Sequence, residues 1–567
     1  MTQGPVTGPA PTGGPALARV RAAYRRDAEA ARPEIWIALR PQAEAEADAR
    51  AVDARLAAGA ALPLAGTVLA VKGNIDVAGL PTTAACPGYA YLPDRDAPAV
   101  ARLRAAGAVV LGSTNLDQFA TGLVGTRSPY GAVRNALDPL LASGGSSSGS
   151  AVAVALGIAD LALGTDTAGS GRVPAAFNGI VGLKPTLGSV STAGVVPACR
   201  SLDCVSVFAR TLDEAERALT QLLDTPPEPP ARRPGPWRVA VPAVEQLGEL
   251  DAGWDTAWQA AVQQLADAGA ELLPLDLEPF SRAAELLYQG AFVAERYAAV
   301  GGFVDKHADS PQAGLDPTVA AIIGAARDIP AHRLFADREE LARLRTAALD
   351  GPAGLGEADA LLLPTAPGHP TLAEVAADPF GANSRLGRFT NSTNLFGLCA
   401  VAVPAGTTPS GGPFGVMLIG RPDTEARLLR VARLLEPAAT VRLAVVGAHL
   451  SGEPLNPQLL ALGGQLVAAT ATAPEYRLHA LPTVPPKPGL VRVPEGGAAV
   501  EAEVWELPAE GFGRFVAALP SPMAIGSVRL ADGSSVPGFL CEPAALADAR
   551  DITAYGGWRA YLAAVRD

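Results

Sequence analysis

The chain of 567 residues is 49% hydrophobic and 18% charged, a balance typical of a globular protein with a large core and more than one domain. Its net charge of -12, without any dense run of Lys and Arg, argues against a nucleic-acid-binding surface. Five scattered cysteines without paired spacing indicate neither a disulfide framework nor a zinc site, so we expect reduced, buried thiols in a cytoplasmic protein.

The N-terminal part of the chain predicts a tail followed by a strand and helix alternation. Residues 1–16, rich in Gly and Pro, predict a disordered tail without the apolar core of a secretory signal. An amphipathic helix is expected next, in "ALARVRAAYRRDAEAAR", before a strand in "TVLAVKGN". The segment "AVARLRAAGAVVLG" then predicts a helix, a Gly turn and a buried strand, which is typical of a βαβ unit.

The same alternation continues after the serine-glycine run "LASGGSSSGS", residues 141–150. A helix and then a strand ending at Asp166 are expected, although the apolar run over residues 151–163 is too short to span a bilayer. A proline-rich connector over residues 224–236 precedes the strand candidate "WRVAVP" and the helix "TAWQAAVQQLADAGA". Helices dominate residues 281–349, and strands resume in "ADALLLPTAP" and "CAVAVPAG".

The organisation changes near residue 440. From Arg442 onward, short strand-like runs alternate with loops that are rich in Gly and Pro. This remainder is long enough for an independent domain of mixed α/β type. We therefore expect a first domain over residues 17–438 and a second over residues 442–567.

The serine-glycine run allows three interpretations: a flexible linker, a phosphate-binding loop or a loop that holds a reactive hydroxyl. An apolar helix follows it directly, which argues against a linker, and it lacks the Gly-Lys-Ser/Thr ending of a P-loop. A nucleophilic serine needs a base, and the first 306 residues contain no histidine, so a Ser-His-Asp triad, which forms in space, stays open but has no local support. Lys72 follows an apolar strand, where burial would lower its pKa, although such a lysine is more often a surface residue or an ion-pair partner.

A second glycine-serine stretch, "GTDTAGSGRVPAAFNGIVGLKPT", favours the catalytic interpretation. It places Ser170 on a tight turn after a strand, where Ala168, Gly169 and Ser170 could direct consecutive backbone N–H groups toward one point. This stretch, the run "SGGSSSGSAVAVALG" and Lys72 in "VKGNIDV" stand in the order and spacing of one family. The chain resembles the amidase signature family over roughly residues 20 to 435.

The resemblance implies an α/β fold with a mixed β-sheet core covered by helices, and a Ser-cisSer-Lys triad. Ser170 is then the nucleophile, Ser146 the bridging serine after a cis peptide bond, and Lys72 the base. Backbone N–H groups from Thr167 to Ser170 would form the oxyanion hole. No cofactor and no metal is implied, because the two serines and the lysine suffice for the chemistry.

Within that family the chain resembles the allophanate hydrolase branch, through "PEIWIALRP", "TNLDQFATGLVGTRSPYG", "LLYQGAFVAERYAAV" and the presence of a second domain. The resemblance implies that Tyr288 and Arg296, two helical turns apart on one helix, bind the carboxylate of allophanate. Gly122 or Gly125 would add backbone contacts. Without the family context, a packed Tyr288 and an exposed Arg296 paired with an acid such as Asp305 would be the simpler interpretation.

The C-terminal domain resembles the gamma-glutamyl cyclotransferase-like fold, through "AVVGAHLSGEPLNPQLL". The catalytic glutamate of true cyclotransferases has no clear counterpart, since "AEGFGRFVAALPSP" carries only Glu510. In allophanate hydrolases this domain is associated with decarboxylation of N-carboxycarbamate, which a general acid would promote. His449 is the candidate, against the alternative of a structural histidine.

These observations predict a cytoplasmic allophanate hydrolase that acts on a linear amide in urea degradation. A urea carboxylase would be its functional partner and supply the substrate, and a homodimer is expected; nucleic acid and membrane are not. The alternatives are an amidase for another small amide, an amidotransferase subunit that needs a partner enzyme, and an inactive binding subunit. The intact set of Lys72, Ser146 and Ser170 argues against the last of these.

Overall fold

The computed structural model describes residues 14–223, 235–308, 310–436, 440–483 and 486–566. The chain divides into two compact units, Met1–Glu436 and Pro437–Asp567. Most of the predicted N-terminal tail and of the proline-rich connector lies outside the described residues. Pro15 and Ala16, which the predicted tail included, instead begin the first helix.

The first unit is built on one mixed sheet. Its strands are β1 (Trp36–Leu39), β2 (Val68–Lys72), β3 (Val109–Thr114), β4 (Leu161–Asp166), β5 (Val181–Lys184), β6 (Cys204–Ala209), β7 (Arg238–Pro242), β8 (Glu271–Leu275), β9 (Ala360–Pro364), β10 (Cys399–Thr407) and β11 (Pro413–Gly420). They are ordered β1-β3-β2-β4-β6-β5-β10-β11-β9-β7-β8. Strand β2 is parallel to both of its neighbours, whereas β10 is antiparallel to β5 and β11. The strands β2, β3 and β4 are buried along their whole length, which explains their unbroken apolar sequences.

Helices pack against this sheet and around its ends. They are α1 (Pro15–Ala30), α2 (Gln42–Ala57), α3 (Pro98–Ala105), α4 (Ser148–Ala155), α5 (Val173–Phe177), α6 (Leu212–Leu222), α7 (Trp254–Asp267), α8 (Glu278–Gln289), α9 (Ala294–His307), α10 (Pro317–Ala325), α11 (Ala331–Asp350), α12 (Leu372–Ala377), α13 (Gly381–Leu386), α14 (Asn391–Leu395) and α15 (Glu425–Ala432). As predicted, α3 connects the parallel neighbours β2 and β3, and α4 follows the serine-glycine run. The predicted α/β fold, a mixed sheet covered by helices, is confirmed.

The second unit has its own sheets and its own hydrophobic core. Its strands and helices are β12 (Thr440–Val445), α16 (Asn456–Ala461), β13 (Gln465–Ala471), β14 (Tyr476–Leu481), β15 (Lys487–Arg492), β16 (Glu501–Pro508), α17 (Ala509–Ala517), β17 (Met523–Arg529), β18 (Ser535–Cys541), β19 (Arg550–Asp551) and α18 (Trp558–Arg566). One sheet has the order β13-β16-β12-β18-β17 and the other β15-β14-β19. Buried side chains such as Leu443, Trp505 and Trp558 form the core.

The part of the chain that the structure describes contains no helix long and apolar enough to cross a membrane. All five cysteines are buried and none forms a disulfide. Within the same residues, no group of three or more His, Cys, Asp or Glu side chains is placed to hold a metal ion.

Candidate active site

Lys72 lies at the carboxyl end of β2, fully buried beside the parallel strand β4. Its Nζ donates hydrogen bonds to Ser146 Oγ and to Thr165 Oγ1, each at 2.8 Å. Asn74 Nδ2 donates a further hydrogen bond to Thr165 Oγ1, at 3.3 Å. The carboxyl ends of the parallel neighbours β2 and β4 meet at one edge of the sheet, which brings Lys72 to Thr165. The loop before α4 reaches the same edge and brings the predicted bridging serine to the predicted base across 74 residues of sequence.

Burial controls the ionisation of Lys72. It lowers the pKa of the ammonium group to about 7, although the negative charges of Asp117, Asp166 and Asp203 oppose the change. The positive charge of Arg296 lowers the pKa further. A substantial fraction of Lys72 is therefore neutral near pH 7, and a neutral amine can accept a proton from the hydroxyl that it contacts.

The serine-glycine run forms a buried loop that leads into α4. Ser143, Ser146, Ser147 and Ser150 have no exposed surface, so the flexible-linker interpretation is wrong. The Gly145–Ser146 peptide bond is cis, and the Ser146 carbonyl oxygen accepts a hydrogen bond of 3.0 Å from the Asp117 N–H. Ser147 Oγ donates a hydrogen bond to the Thr165 carbonyl at 3.1 Å. The loop is thus fixed against the end of β4, next to Lys72.

Ser170 lies on the turn after β4 and is 2% exposed. Within the described ranges its hydroxyl has no hydrogen-bond partner. Of the four N–H groups predicted for the oxyanion hole, that of Gly169 donates to Asp166 Oδ1 at 2.8 Å. The N–H groups of Thr167, Ala168 and Ser170 have no acceptor among the residues that the structure describes. These three are the donors that remain available to a ligand at the turn.

A buried ion pair holds this turn in place. Arg172 binds both carboxylate oxygens of Asp166, at 2.9 Å through Nε and 3.0 Å through Nη2, and neither side chain is exposed. Burial would raise the pKa of Asp166, but Arg172 and the surrounding hydrogen bonds lower it to about 2. Asp166 also accepts the N–H groups of Gly169 and Gly171. The ion pair therefore supports the conformation of the segment that carries Ser170.

Tyr288 and Arg296 lie on two different helices, so the prediction that they share one helix is wrong. Tyr288 is in the last turn of α8 and Arg296 is in the first turn of α9. The extended conformation of Gly290 ends α8, and a side chain there would collide with the Leu286 carbonyl oxygen. The two side chains nevertheless meet, because Arg296 Nη2 donates a hydrogen bond of 2.8 Å to Tyr288 Oη.

The surroundings of Arg296 contradict the interpretation of an exposed ion pair. Its side chain is 2% exposed, and Nη1 donates to Thr121 Oγ1 at 2.9 Å and to the Ala120 carbonyl oxygen at 3.2 Å. Asp305 pairs instead with Arg327. Across the described residues, no carboxylate lies within ion-pair distance of Arg296.

The segment around Gly122 connects these parts of the site. It follows Thr121, and a Cβ atom at Gly122 would lie 2.6 Å from Asp117 Cγ. The Asp117 carboxylate accepts the N–H groups of Gly125 and Arg127 at 3.0 and 2.9 Å. Gly125 is therefore engaged within the loop, and a substrate contact of Gly122 stays a prediction.

Sequence reasoning did not identify three of the polar residues at this site: Asp117, Thr165 and Asp203. Asp203 Oδ1 accepts a hydrogen bond of 2.6 Å from Thr167 Oγ1, and burial raises the pKa of both aspartates. A signal was present for Asp117, an acid next to the end of a buried strand in "STNLDQF". Asp203 had none, because its role depends on a contact made only in the folded chain.

Comparison with known proteins places these residues in a family. Residues 19–429 match the family model described as Amidase. The chain therefore belongs to the amidase family. A second model, described as Allophanate hydrolase C-terminal domain, matches residues 441–563.

Individual proteins of known name are also similar to this chain. Urea amidolyase of Saccharomyces cerevisiae is 43% identical over 551 residues, which is 88% of this chain but only 30% of that protein. The 2-amino-5-chloromuconic acid deaminase of Comamonas testosteroni is 36% identical over 72% of this chain and 89% of its own length. The solved Kluyveromyces lactis allophanate hydrolase superposes with a TM-score of 0.69 at 40% identity, over 97% of both chains. The predictions of an amidohydrolase and of a relationship to the allophanate hydrolases are confirmed.

The C-terminal unit of this amidase family member contains His449, in the loop after β12. His449 Nε2 lies 3.0 Å from Gln458 Oε1, and the ring stacks on Phe539 with centroids 5.1 Å apart. Burial lowers the pKa of the imidazole, and the charge of Lys487 lowers it further. The histidine lines a cavity of about 550 Å³. The resemblance of this unit to the cyclotransferase-like fold stays a prediction.

Proposed function

We propose that the first unit hydrolyses the amide of allophanate, releasing ammonia and leaving N-carboxycarbamate. The observation that carries the proposal is Arg296, a buried guanidinium whose hydrogen-bond partners in the described chain are all neutral. The charge of Asp203 acts on Arg296, but no carboxylate of the described chain pairs with it directly, and a substrate carboxylate would supply that direct partner. Allophanate is small and planar and carries a carboxylate and an amide, which fits this requirement.

The substrate carboxylate would bind between Arg296 and Tyr288, whose hydroxyl already contacts the guanidinium. The charge of Arg296 acts on Lys72, so the proposed anion site and the proposed base share one electrostatic environment. A bound carboxylate would offset that positive charge. The segment over residues 117–121 connects the two sites. At one end the Asp117 N–H donates to the Ser146 carbonyl oxygen, and at the other the Thr121 hydroxyl accepts a hydrogen bond from Arg296.

In the proposed reaction, neutral Lys72 accepts a proton from Ser146 as Ser146 accepts one from Ser170. The Ser170 oxygen then attacks the amide carbon, and the N–H groups of Thr167, Ala168 and Ser170 stabilise the negative charge on the amide oxygen. The proton returns along the same path to the departing nitrogen, and ammonia leaves. Water then hydrolyses the acyl-enzyme by the same relay, which regenerates the Ser170 hydroxyl.

The second unit would carry out the next step, with His449 as the general acid. Loss of carbon dioxide from N-carboxycarbamate breaks a carbon–nitrogen bond, and the electron pair stays on nitrogen. A proton from His449 would neutralise that nitrogen as the bond breaks, giving carbamate, which releases ammonia and a second carbon dioxide. The name and the greater length of the urea amidolyase relative support a urea carboxylase as the functional partner. A homodimer and a cytoplasmic location belong to the proposal through the family resemblance alone.

The proposal is tested by measuring ammonia release from allophanate, malonamate, biuret and a neutral amide. Ser170→Ala should abolish all activity. At pH 9, where Lys72 is mostly neutral with or without the charge of Arg296, Arg296→Ala should lower kcat/KM for allophanate by about 100-fold and should spare the neutral amide. This is the loss expected for about 3 kcal/mol of charge-assisted hydrogen bonding. Arg327→Ala, which removes an exposed arginine paired with Asp305, serves as the matched control. A wild-type preference for the neutral amide, or an equal loss on every substrate in Arg296→Ala, would contradict the proposal.

A further inference from the structure

The cavity of the second unit is apolar except at a few points. Most of its walls are aliphatic or aromatic side chains, including Val446, Leu519, Phe515, Met523 and Phe539. Apart from His449, the charged or titratable residues that line it are Lys487 and Arg514. Arg514 is paired with Glu510 on the same helix, and its side chain is largely exposed. Lys487 is thus the cation of this cavity whose charge is not neutralised by a partner in the described chain.

Lys487 is the first residue of β15 and is partly buried. Its ammonium group makes no hydrogen bond or ion pair with the described residues. Its charge lowers the pKa of His449, so the two side chains are close enough to interact electrostatically. An ammonium group beside apolar walls is unfavourable unless an anion accompanies it.

The loop that carries His449 packs closely on the ring of Pro488, the residue that follows Lys487. A Cβ atom at Gly447 would lie 2.1 Å from Pro488 Cγ and 2.5 Å from Pro488 Cδ. Only glycine permits this approach, so the loop packs directly on the residue that follows Lys487. This contact holds the backbone of Lys487 next to the loop that carries His449, and both side chains line the same cavity.

We propose that Lys487 binds a carboxylate group of a small dicarboxylate ligand in this cavity and holds the ligand against His449. The inference rests on the proposed function, because that reaction yields a small molecule with two carboxylates. A bound anion would offset the charge of Lys487 and favour the protonated form of His449. Lys487 thereby binds the ligand, while the ligand itself prepares the histidine to donate a proton.

The test uses the full chain with its five histidines labelled with ¹³C at Cε1, and malonate as the probe. His449→Gln identifies the His449 resonance. At fixed pH near 7, malonate should move this resonance toward the position of protonated imidazole in a saturable manner. Lys487→Met should weaken the midpoint at least tenfold, whereas Lys487→Arg should retain the response. The His479 resonance, from β14 of the same unit, reports whether each variant is folded.

Two further variants separate this site from the rest of the chain. Arg296→Ala removes the proposed anion site of the first unit and should leave the His449 response unchanged. Arg514→Met removes a paired arginine and should do the same. No response of His449 to malonate, or an equal midpoint in Lys487→Met, overturns the inference. A normal His449 response in a chain that fails to release ammonia from allophanate would refute the proposed function while leaving this site intact.

Discussion

The rate of the first chemical step should follow the ionisation of Lys72, because only the neutral amine can accept a proton. With a pKa of about 7, roughly one-tenth of Lys72 is neutral at pH 6 and roughly nine-tenths at pH 8. We therefore expect kcat/KM for allophanate to rise about tenfold between these two pH values. A lysine with the ordinary pKa of 10.5 would instead give a rise of about 100-fold between pH 6 and 8, and the rise would continue to about pH 10.

The structure also gives the direction in which a mutation moves this profile. The negative charge of Asp203 raises the pKa of Lys72, so removing that charge should lower it. Asp203→Asn keeps an oxygen that can accept the hydrogen bond from Thr167 Oγ1. The midpoint of the pH profile should then move to lower pH. Asp305→Asn, a change at an exposed carboxylate paired with Arg327, is the matched control and should leave the midpoint in place.

The depressed pKa also affects stability. Between the pKa of about 7 in the folded chain and the reference value of 10.5, only the unfolded chain binds the proton, so the free energy of unfolding should rise with pH across this window. Below pH 7 the folded chain must bury the charged form of Lys72, which lowers the free energy of unfolding by at most about 5 kcal/mol for this pKa shift. Lys72→Met should therefore be inactive yet more stable than wild type at pH 7, and should lose that advantage above pH 10.

Steady-state ammonia release from pH 5.5 to 9 and urea denaturation at pH 7 and 10 measure these effects. A flat profile between pH 6 and 8 would refute the role of Lys72 as the base. A midpoint that moves upward in Asp203→Asn would refute the electrostatic argument. A Lys72→Met variant less stable than wild type at pH 7 would mean that its two hydrogen bonds outweigh the burial of its amine.

Three substitutions test other parts of the structure. Asp166→Asn leaves the buried Arg172 without its carboxylate and should cost about 3–5 kcal/mol in chemical denaturation; a change below about 1 kcal/mol would contradict the ion-pair argument. Gly145→Ala places a Cβ 2.1 Å from Asp117 Oδ2, so ammonia release should be largely lost in a chain that still folds by circular dichroism. Gly447→Ala should lower the melting temperature of the second unit while ammonia release persists, and an unchanged melting temperature would argue against the tight packing of its loop.

The sequence predicted the parallel part of the sheet best. Strands β2, β3 and β4 are buried on both faces, so each reads as one continuous apolar run that ends at a turn residue. By contrast, β8 is partly exposed over most of its length and lacks such a run. Short strands such as β1 and β5 have four residues each, too few for a periodic pattern to identify.

At the candidate site, motif order identified residues that the fold brings together, but local geometry escaped it. Eight residues of spacing suggested one helix for Tyr288 and Arg296, whereas Gly290 ends α8 between them, a break that a glycine in "LLYQGAF" signals only weakly. The engagement of the Gly169 N–H by Asp166 depends on the side-chain conformation after folding. No pattern in the sequence predicts which of the four N–H groups Asp166 would bind.

Three of the buried cations of the first unit, Arg172, Lys72 and Arg296, have different contacts, and each arrangement suits a different task. Arg172 is neutralised by both oxygens of Asp166, and this ion pair stabilises the turn that carries Ser170. Lys72 contacts only hydroxyl groups, and burial shifts it toward the neutral form, which can transfer a proton. Arg296 cannot lose its proton and contacts only neutral groups, so its charge persists. A persistent charge that no described carboxylate pairs with directly, close to a proton-transfer group, is the arrangement that an anionic amide would complete.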